Sequence, residues 1–573
     1  MIDVLFQGIS SNLFFGIGII IIVATVLAYL AKVIKQPLIV AYIVAGVILG
    51  PIGLNLVNNS DAIVALSEIG IAFLLFIVGL EMNLKKLLRV GLASVVVGLV
   101  QVVVTFFLGY YIAIWLGFQE FAVFIGLILA FSSTMVVVKL LSDKEEIDTL
   151  HGRLILGILL LQDIVAVIVL ALLPHINNGF SVNIVSLAII KTVVLFGLAA
   201  FCGKFVWPGL FRFAAKSQEL LFLVGLSVLF LFSLFAFTLD LSIIIGAFIA
   251  GVSLASLPYN FNLMGKVLPL RDFFATIFFV SLGMQLVFVG VKELLNPLFI
   301  LLIAVIFLKP LIILIFISLF GYGKRTSFFT ANSLGQISEF SLILVTLAFY
   351  TLGSVSEGIF TLTVLLAVVS MIVASYVIDY QGTIYGLLSR PLSLFDKLGW
   401  RKEKLEYFTK GKKKSVILFG CHRMGYVFLR TFNKLHKEVL VVDYNPEVIN
   451  KLMKDKVSCM YGDVSNREVL KKIKFNNAKI VVSTVRRVED NTLLIKYVKK
   501  NNPKTLVFVT AEHLHEALDL YEAGADYVIL PHILSGERIS SLIKRILKKK
   551  VELISLRNKH IKHLLHLDFK GKH

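Results

Sequence analysis

From about Asn12 to Tyr380 the chain repeats one pattern: an apolar run, a short polar or charged loop, then another apolar run. A bilayer core about 30 Å thick needs roughly 20 helical residues, and about thirteen runs of that length follow one another here. The first centres near Ile21 and the last near Val369. After about Arg390 the pattern changes. Short β-branched runs ("SVILFG", "EVLVVD", "VSCMYGD", "KIVVST", "TLVFVT", "YVIL") alternate with amphipathic stretches. Strands alternating with helices imply a parallel, doubly wound sheet. Four segments result: a transmembrane domain over 1–390, a charged linker over 391–412, an α/β domain over 413–535, and a basic tail over 536–573.

Composition agrees with this division. The 573 residues are 58% hydrophobic and 16% charged, against about 45–50% and about 25% in soluble domains. The net charge of +20 does not point to nucleic acid, because the basic residues alternate between loops. "KVIKQ", "LKKLLR" and "FRFAAK" are basic, whereas "NLVNNSD" and "PHINNGFSVN" carry no Lys or Arg. The positive-inside rule places the basic loops in the cytosol. With an odd number of spans, the N-terminus lies outside and the C-terminal domain in the cytosol. Cys202, Cys421 and Cys459 are too widely spaced for a disulfide framework or a zinc pattern. No charged leader with a small-residue cleavage site opens the chain, so no cleavable signal peptide is expected.

The candidate chemistry sits inside the apolar runs. "LLLQDIVAVIVL", Leu159–Leu170, is apolar except for Gln162 and Asp163. An ionisable residue at membrane depth costs at least a few kcal/mol and marks function by default. The preceding run, "LILAFSSTMVVVKL", is interrupted by Ser132, Ser133 and Thr134. The twelfth, "ANSLGQISEFSLIL", is interrupted by Asn332, Ser333, Gly335, Gln336, Ser338 and Glu339. Unwound backbone at that depth is tolerated only when buried in protein or lining a wet cavity. Two such breaks in corresponding places point to a transporter ion site. "IFLKPLIIL" adds Lys309, which needs a partner: half-helix C-termini, Glu339, or a proton of its own to carry.

"QPLIVAYIVAGVILGPIGL", "LSEIGIAFLLFIVGLEMNLKKL", "FSSTMVVVKLLSDK", "LLLQDIVAV" and "GQISEFSLIL" closely resemble matching segments of Kef-type monovalent cation:proton antiporters, of the cation:proton antiporter-2 superfamily. The resemblance runs in the same order over nearly the whole chain. It implies inverted repeats with crossed broken helices, a homodimer, and alternating access. By position it makes Asp163 the carboxylate that binds either a cation or a proton. Gln162, Ser132, Ser133, Thr134, Glu339 and Lys309 surround that site. Gln162 stands where electrogenic sodium antiporters carry an acid, which favours potassium over sodium.

"VILFGCHRMGYVFLRTF" reads as a strand, a tight loop and a helix start. The dinucleotide fingerprint is G-x-G-x-x-G with an acid about 20 residues on. Gly420 and Gly425 hold the first and third positions, Asp443 fits the acid, and His422 replaces the middle glycine. That replacement narrows the approach of a pyrophosphate and favours a mononucleotide. This half resembles a TrkA-N (RCK) domain. The resemblance implies an adenine nucleotide, AMP in preference to NAD(H). Gly420, His422, Arg423, Met424 and Gly425 would form its phosphate loop, Asp443 would take the ribose, and Asp463 and Thr484 would lie along the adenosine. Arg486 is a further candidate for phosphate charge.

Together these expectations describe a multi-pass protein of the cytoplasmic membrane, not an enzyme. It exchanges K⁺ or Na⁺ for H⁺ under nucleotide control. The partners expected are the lipid bilayer and a second copy of the chain, without nucleic acid; no accessory subunit is indicated. A ligand-gated, channel-like potassium efflux pathway on the same scaffold is the alternative.

Overall fold

The computed structural model describes residues 13–56, 60–82, 92–144, 146–147, 149–176, 182–239, 241–286, 291–350, 353–389, 391–397, 406–407, 414–462, 464, 467–473, 475–547, 557–558 and 560–561. The chain forms two compact units, residues 1–402 and 403–573.

The first unit is helical. Its helices are α1 (Leu13–Val33), α2 (Leu38–Leu49), α3 (Ser60–Glu81), α4 (Leu92–Trp115), α5 (Ala122–Ala130), α6 (Thr134–Asp143), α7 (Leu150–Ile176), α8 (Val182–Phe201) and α9 (Trp207–Ala214). They continue with α10 (Gln218–Thr238), α11 (Ile243–Leu254), α12 (Asn260–Met284), α13 (Val291–Ile303), α14 (Lys309–Leu319), α15 (Lys324–Ser333), α16 (Glu339–Tyr350), α17 (Glu357–Asp379) and α18 (Gln381–Leu388). Among the described residues, nine helical spans are long and apolar enough to cross a membrane. The apolar helices α2, α11 and α16 are shorter. The expected count near thirteen is therefore not matched helix by helix. One physical reason is that α2, α11 and α16 are only 12 residues each, and α16 is the second half of a run broken between α15 and α16.

Close packing in this unit depends on glycine. A Cβ added to Gly46 on α2 would lie 2.0 Å from the Val280 carbonyl oxygen of α12, and one on Gly283 would lie 2.0 Å from the Ile43 oxygen. Gly79 on α3 and Gly251 on α11 face each other in the same way, at 2.3 Å from Phe248 O and 2.2 Å from Phe76 O. Small residues let apolar helices bring their backbones together where lipid offers no hydrophobic drive.

α13 and α14 form one rod joined by a π-helical turn at Ala304–Leu308. Pro310 lies in the first turn of α14 and has no N–H to give the helix. Such a residue commonly shifts the backbone ladder by one register, and single π-turns cluster at functional sites. Lys309 is placed inward by that turn.

The second unit carries a seven-stranded sheet. Its elements are β1 (Glu406–Tyr407), β2 (Val416–Phe419), α19 (Arg423–Lys434), β3 (Val439–Asp443), α20 (Pro446–Lys454), β4 (Cys459–Tyr461), α21 (Arg467–Lys472), β5 (Ile480–Ser483), α22 (Val488–Asn501), β6 (Leu506–Thr510), α23 (Leu514–Glu522), β7 (Tyr527–Ile529) and α24 (Pro531–Leu547). The order is β1-β4-β3-β2-β5-β6-β7. β2 to β7 pair in parallel, and β1 joins β4 antiparallel at the edge. All six runs singled out in the sequence are strands. β1, inside the charged stretch, was not expected there: two residues carry no alternation to read. The sheet reverses order between β2 and β5, the switch point at which ligands bind in doubly wound folds. α24 runs without interruption across position 535, where the sequence placed the end of this domain.

Candidate functional site

The first break leaves Phe131, Ser132 and Ser133 between α5 and α6. The second leaves 334–338 between α15 and α16. The two breaks meet and satisfy one another. Ser132 Oγ donates to the Leu334 carbonyl at 3.0 Å, and the Met135 N–H donates to Glu339 Oε1 at 3.3 Å. Beside them, Ser341 Oγ donates to the Ile128 carbonyl at 2.8 Å. Ser133 caps α6 by accepting from the Val136 N–H at 3.3 Å. Lys309, fully buried, spans both breaks: its Nζ donates to Phe131 O at 2.7 Å and to Gln336 O at 3.0 Å. Of the partners open to Lys309, the structure places half-helix carbonyls against it.

α7 passes beside the first break and brings Asp163 to it. Thr134, the first residue of α6, sets its hydroxyl 3.0 and 3.1 Å from the two Asp163 carboxylate oxygens. Asp163 is 6% exposed and Glu339 4%. Among the described residues, neither Glu339 Oε2 nor Gln336 Oε1, both buried, meets a hydrogen-bond partner. All seven membrane residues expected from the sequence therefore gather around the two breaks. They offer carboxylate and hydroxyl oxygens, the ligand type that a hard monovalent cation takes. A proton would use the same Asp163 oxygens.

Sequence reasoning missed Gln101 on α4. Its side chain is fully buried, accepts from Gln162 Nε2, and donates to the Ala130 carbonyl at 3.0 Å. A lone amide within "LVQVVVTF" was the available signal.

In the second unit the loop after β2 lies at the switch point. Gly420 has φ +81°, a left-handed backbone, and a Cβ there would sit 2.5 Å from Thr484 Oγ1. That hydroxyl donates to Phe419 O at 3.3 Å and Gly420 O at 3.2 Å. Gly425, in the first turn of α19, packs so closely that a Cβ would come 2.0 Å from Gly420 O. These are the tight-turn and close-packing roles of the first and third glycines. His422 precedes α19 as its cap residue and is exposed. Met424 is half-buried. Asp443 closes the crevice floor: Oδ2 accepts from the Cys421 N–H at 2.6 Å and Oδ1 from the Asn445 N–H at 2.8 Å. Arg486 pairs with Glu512 at 3.0 Å. Asp463 and the Arg423 side chain lie outside the described residues.

Gly425→Ala has no room for its methyl. It is expected to lower nucleotide affinity below detection in calorimetry and to destabilise the second unit by roughly 1–3 kcal/mol, the usual cost of overpacking. Thermal unfolding of the full chain checks the second effect.

Two thiols border this site. Burial, then the neighbouring Asp443 carboxylate, pushes Cys421 up to about 12. Burial pushes Cys459 up to about 11. The thiolate is the reactive form, so its fraction at pH 8 is negligible for both. In the folded protein both are expected to react with a maleimide at least about a hundredfold more slowly than an ordinary cysteine of pKa about 8.5. Reactivity should return on denaturation, as mass spectrometry of labelled peptides would show.

Comparison with known proteins agrees with the two kinds of domain. Residues 19–380 match the family of transmembrane sodium/hydrogen exchangers, and residues 416–531 match the TrkA-N domain. The chain is similar to the glutathione-regulated potassium-efflux system protein KefC of Salmonella heidelberg (strain SL476): 28% identical over 495 residues, covering 85% of this chain and 77% of the relative. Among solved structures it is similar to the sodium proton antiporter MjNhaP1 from Methanocaldococcus jannaschii, with 14% identity and TM-score 0.48 over 66% of this chain and 97% of that one. It is also similar to the TrkA-N domain of inner membrane protein ybaL from Escherichia coli, with 17% identity and TM-score 0.22 over 23% and 97%. With 362 of its 573 residues, 19 to 380, inside one family match, the chain belongs to the sodium/hydrogen exchanger family and carries a TrkA-N domain at its C-terminal end.

Proposed function

We propose that this multi-pass antiporter exchanges K⁺ for H⁺ at Asp163, with Na⁺ as a lesser substrate, and that an adenine nucleotide on its TrkA-N domain sets the rate. The observation that carries the ion site is Asp163 bound to Thr134 beside two interlocked helix breaks. One carboxylate cannot serve a cation and a proton at once. If only loaded states change access, exchange is obligatory. The amide at Gln162 and a potassium-efflux relative support potassium. The exchanger family match leaves the channel-like alternative without support of its own.

Further parts of the reading are proposals of the same kind. Ser132, Ser133, Glu339 and Lys309 shape the site. Gly420, His422, Arg423, Met424, Gly425, Asp443, Asp463 and Thr484 hold the nucleotide, and AMP fits the His422 loop better than NAD(H). The exchanger domain spans 1–390, a linker 391–412, and the nucleotide domain 413–535, ahead of a basic tail. The protein works as a homodimer in the cytoplasmic membrane, N-terminus outside and TrkA-N domain in the cytosol.

The test is ion-driven pH change in proteoliposomes. A K⁺ jump, then a Na⁺ jump, is applied with and without AMP or NADH. Potassium-driven proton movement that AMP alters is expected. Cation flux without proton movement would overturn the reading.

A further inference from the structure

The break after Ala130 takes two backbone groups out of helical hydrogen bonding. The Ala130 carbonyl and the Ser132 N–H are both at membrane depth, where an unsatisfied group costs several kcal/mol. Two glutamines from two other helices supply the missing partners. Gln101 Nε2, on α4, donates to Ala130 O at 3.0 Å and to Thr105 Oγ1, one turn along, at 3.1 Å. Gln162 Oε1, on α7, accepts from the Ser132 N–H at 3.0 Å. The two amides then join, Gln162 Nε2 donating to Gln101 Oε1.

This chain of bonds has one direction. A backbone N–H can only donate, so the Gln162 oxygen must face Ser132. A carbonyl can only accept, so the Gln101 nitrogen must face Ala130. What remains is the Gln162 nitrogen against the Gln101 oxygen, a complementary pair. Turning either amide over would set donor against donor or acceptor against acceptor at its backbone contact and at the other amide.

On this basis, and resting on the exchanger reading above, we infer that Gln101 is a positioning residue for ion selection: it fixes the Gln162 amide so that its oxygen serves the backbone of the break and not the ion. Asp163, the next residue, keeps Thr134 as its hydroxyl partner. The amide in the acid position is thereby a structural brace, held in that role from a third helix.

The test uses the full chain in proteoliposomes. It reads apparent KM and maximal rate for K⁺ and for Na⁺ in wild type, Gln101→Leu, Gln162→Leu and the double variant. Without Gln101, the Gln162 amide keeps only its Ser132 contact and loses the second one that fixes its orientation, so its oxygen can leave Ser132 and turn toward the ion. Gln101→Leu is expected to change the ratio of K⁺ to Na⁺ KM by about tenfold, the effect of one neutral hydrogen-bond-strength ligand. In the double variant there is no amide to turn, so the ratio returns to the Gln162→Leu value. An unchanged ratio in Gln101→Leu, or the same shift with Gln162 absent, overturns the inference. Thr105→Val is the milder variant should Gln101→Leu fold poorly. It removes only the hydroxyl that steadies the Gln101 nitrogen, and a shift of about twofold in the same sense is expected. No shift would count against the inference. Absence of coupled proton movement in wild type would instead overturn the exchanger reading itself.

Discussion

Asp163→Asn is expected to reduce cation-driven proton movement to the level of empty liposomes, for K⁺ and Na⁺ alike. The substitution changes chemistry and almost nothing else. Asparagine has the same shape, and its amide oxygen still accepts from the Thr134 hydroxyl, which now lies 3.0 Å from one carboxylate oxygen. Packing around a site that is 6% exposed is kept. What is lost is a group that can exist both as an anion facing a cation and as a neutral acid. An amide neither takes up the proton nor balances the ion, so both half-cycles stop. Thermal unfolding in detergent should remain close to wild type, which separates lost chemistry from lost fold. Retained pH-coupled flux in this variant would remove Asp163 from the mechanism and leave Glu339, the other buried carboxylate at the breaks, to be tested in its place.

Lys309→Met is expected to cost both exchange and stability. Methionine matches the length of the lysine stem but brings no donor. The Phe131 and Gln336 carbonyls, now held at 2.7 and 3.0 Å, would be left facing a thioether. A buried polar group stripped of its partner costs roughly 1–3 kcal/mol. Relief from burying the amine offsets part of this, since an ion in the interior carries its own desolvation cost. Two orphaned carbonyls outweigh one removed amine in that comparison, because the carbonyls cannot leave the break. A kcal/mol moves the melting temperature by roughly 2–4 °C in domains of 150–250 residues, and less in a larger unit. A fall of about 5 °C is therefore expected, read by unfolding fluorescence in detergent. Unchanged stability with lost exchange would mean that Lys309 carries a proton of its own and is not a brace.

The sequence showed these sites unevenly, for physical reasons. Both helix breaks were legible because serine, threonine and glycine stand out in apolar runs, and Asp163 because a carboxylate there is costly. The strands of the second unit were legible because β-branched runs of four to six residues fall between turn signals. Gln101 was not. A single amide on a helix does not announce which backbone group 29 positions away it satisfies. The partner of Lys309 was open in the sequence, since carbonyls belong to every residue and carry no letter. The two-residue β1 depends wholly on its antiparallel neighbour.

The glycine contacts between α2 and α12, and between α3 and α11, limit how the membrane unit can move. Backbones that approach this closely leave no space for a side chain between them, so turning either helix of a pair about its axis would bring a Cβ against the facing carbonyl. Rotation of one helix against the other is therefore the motion these contacts oppose.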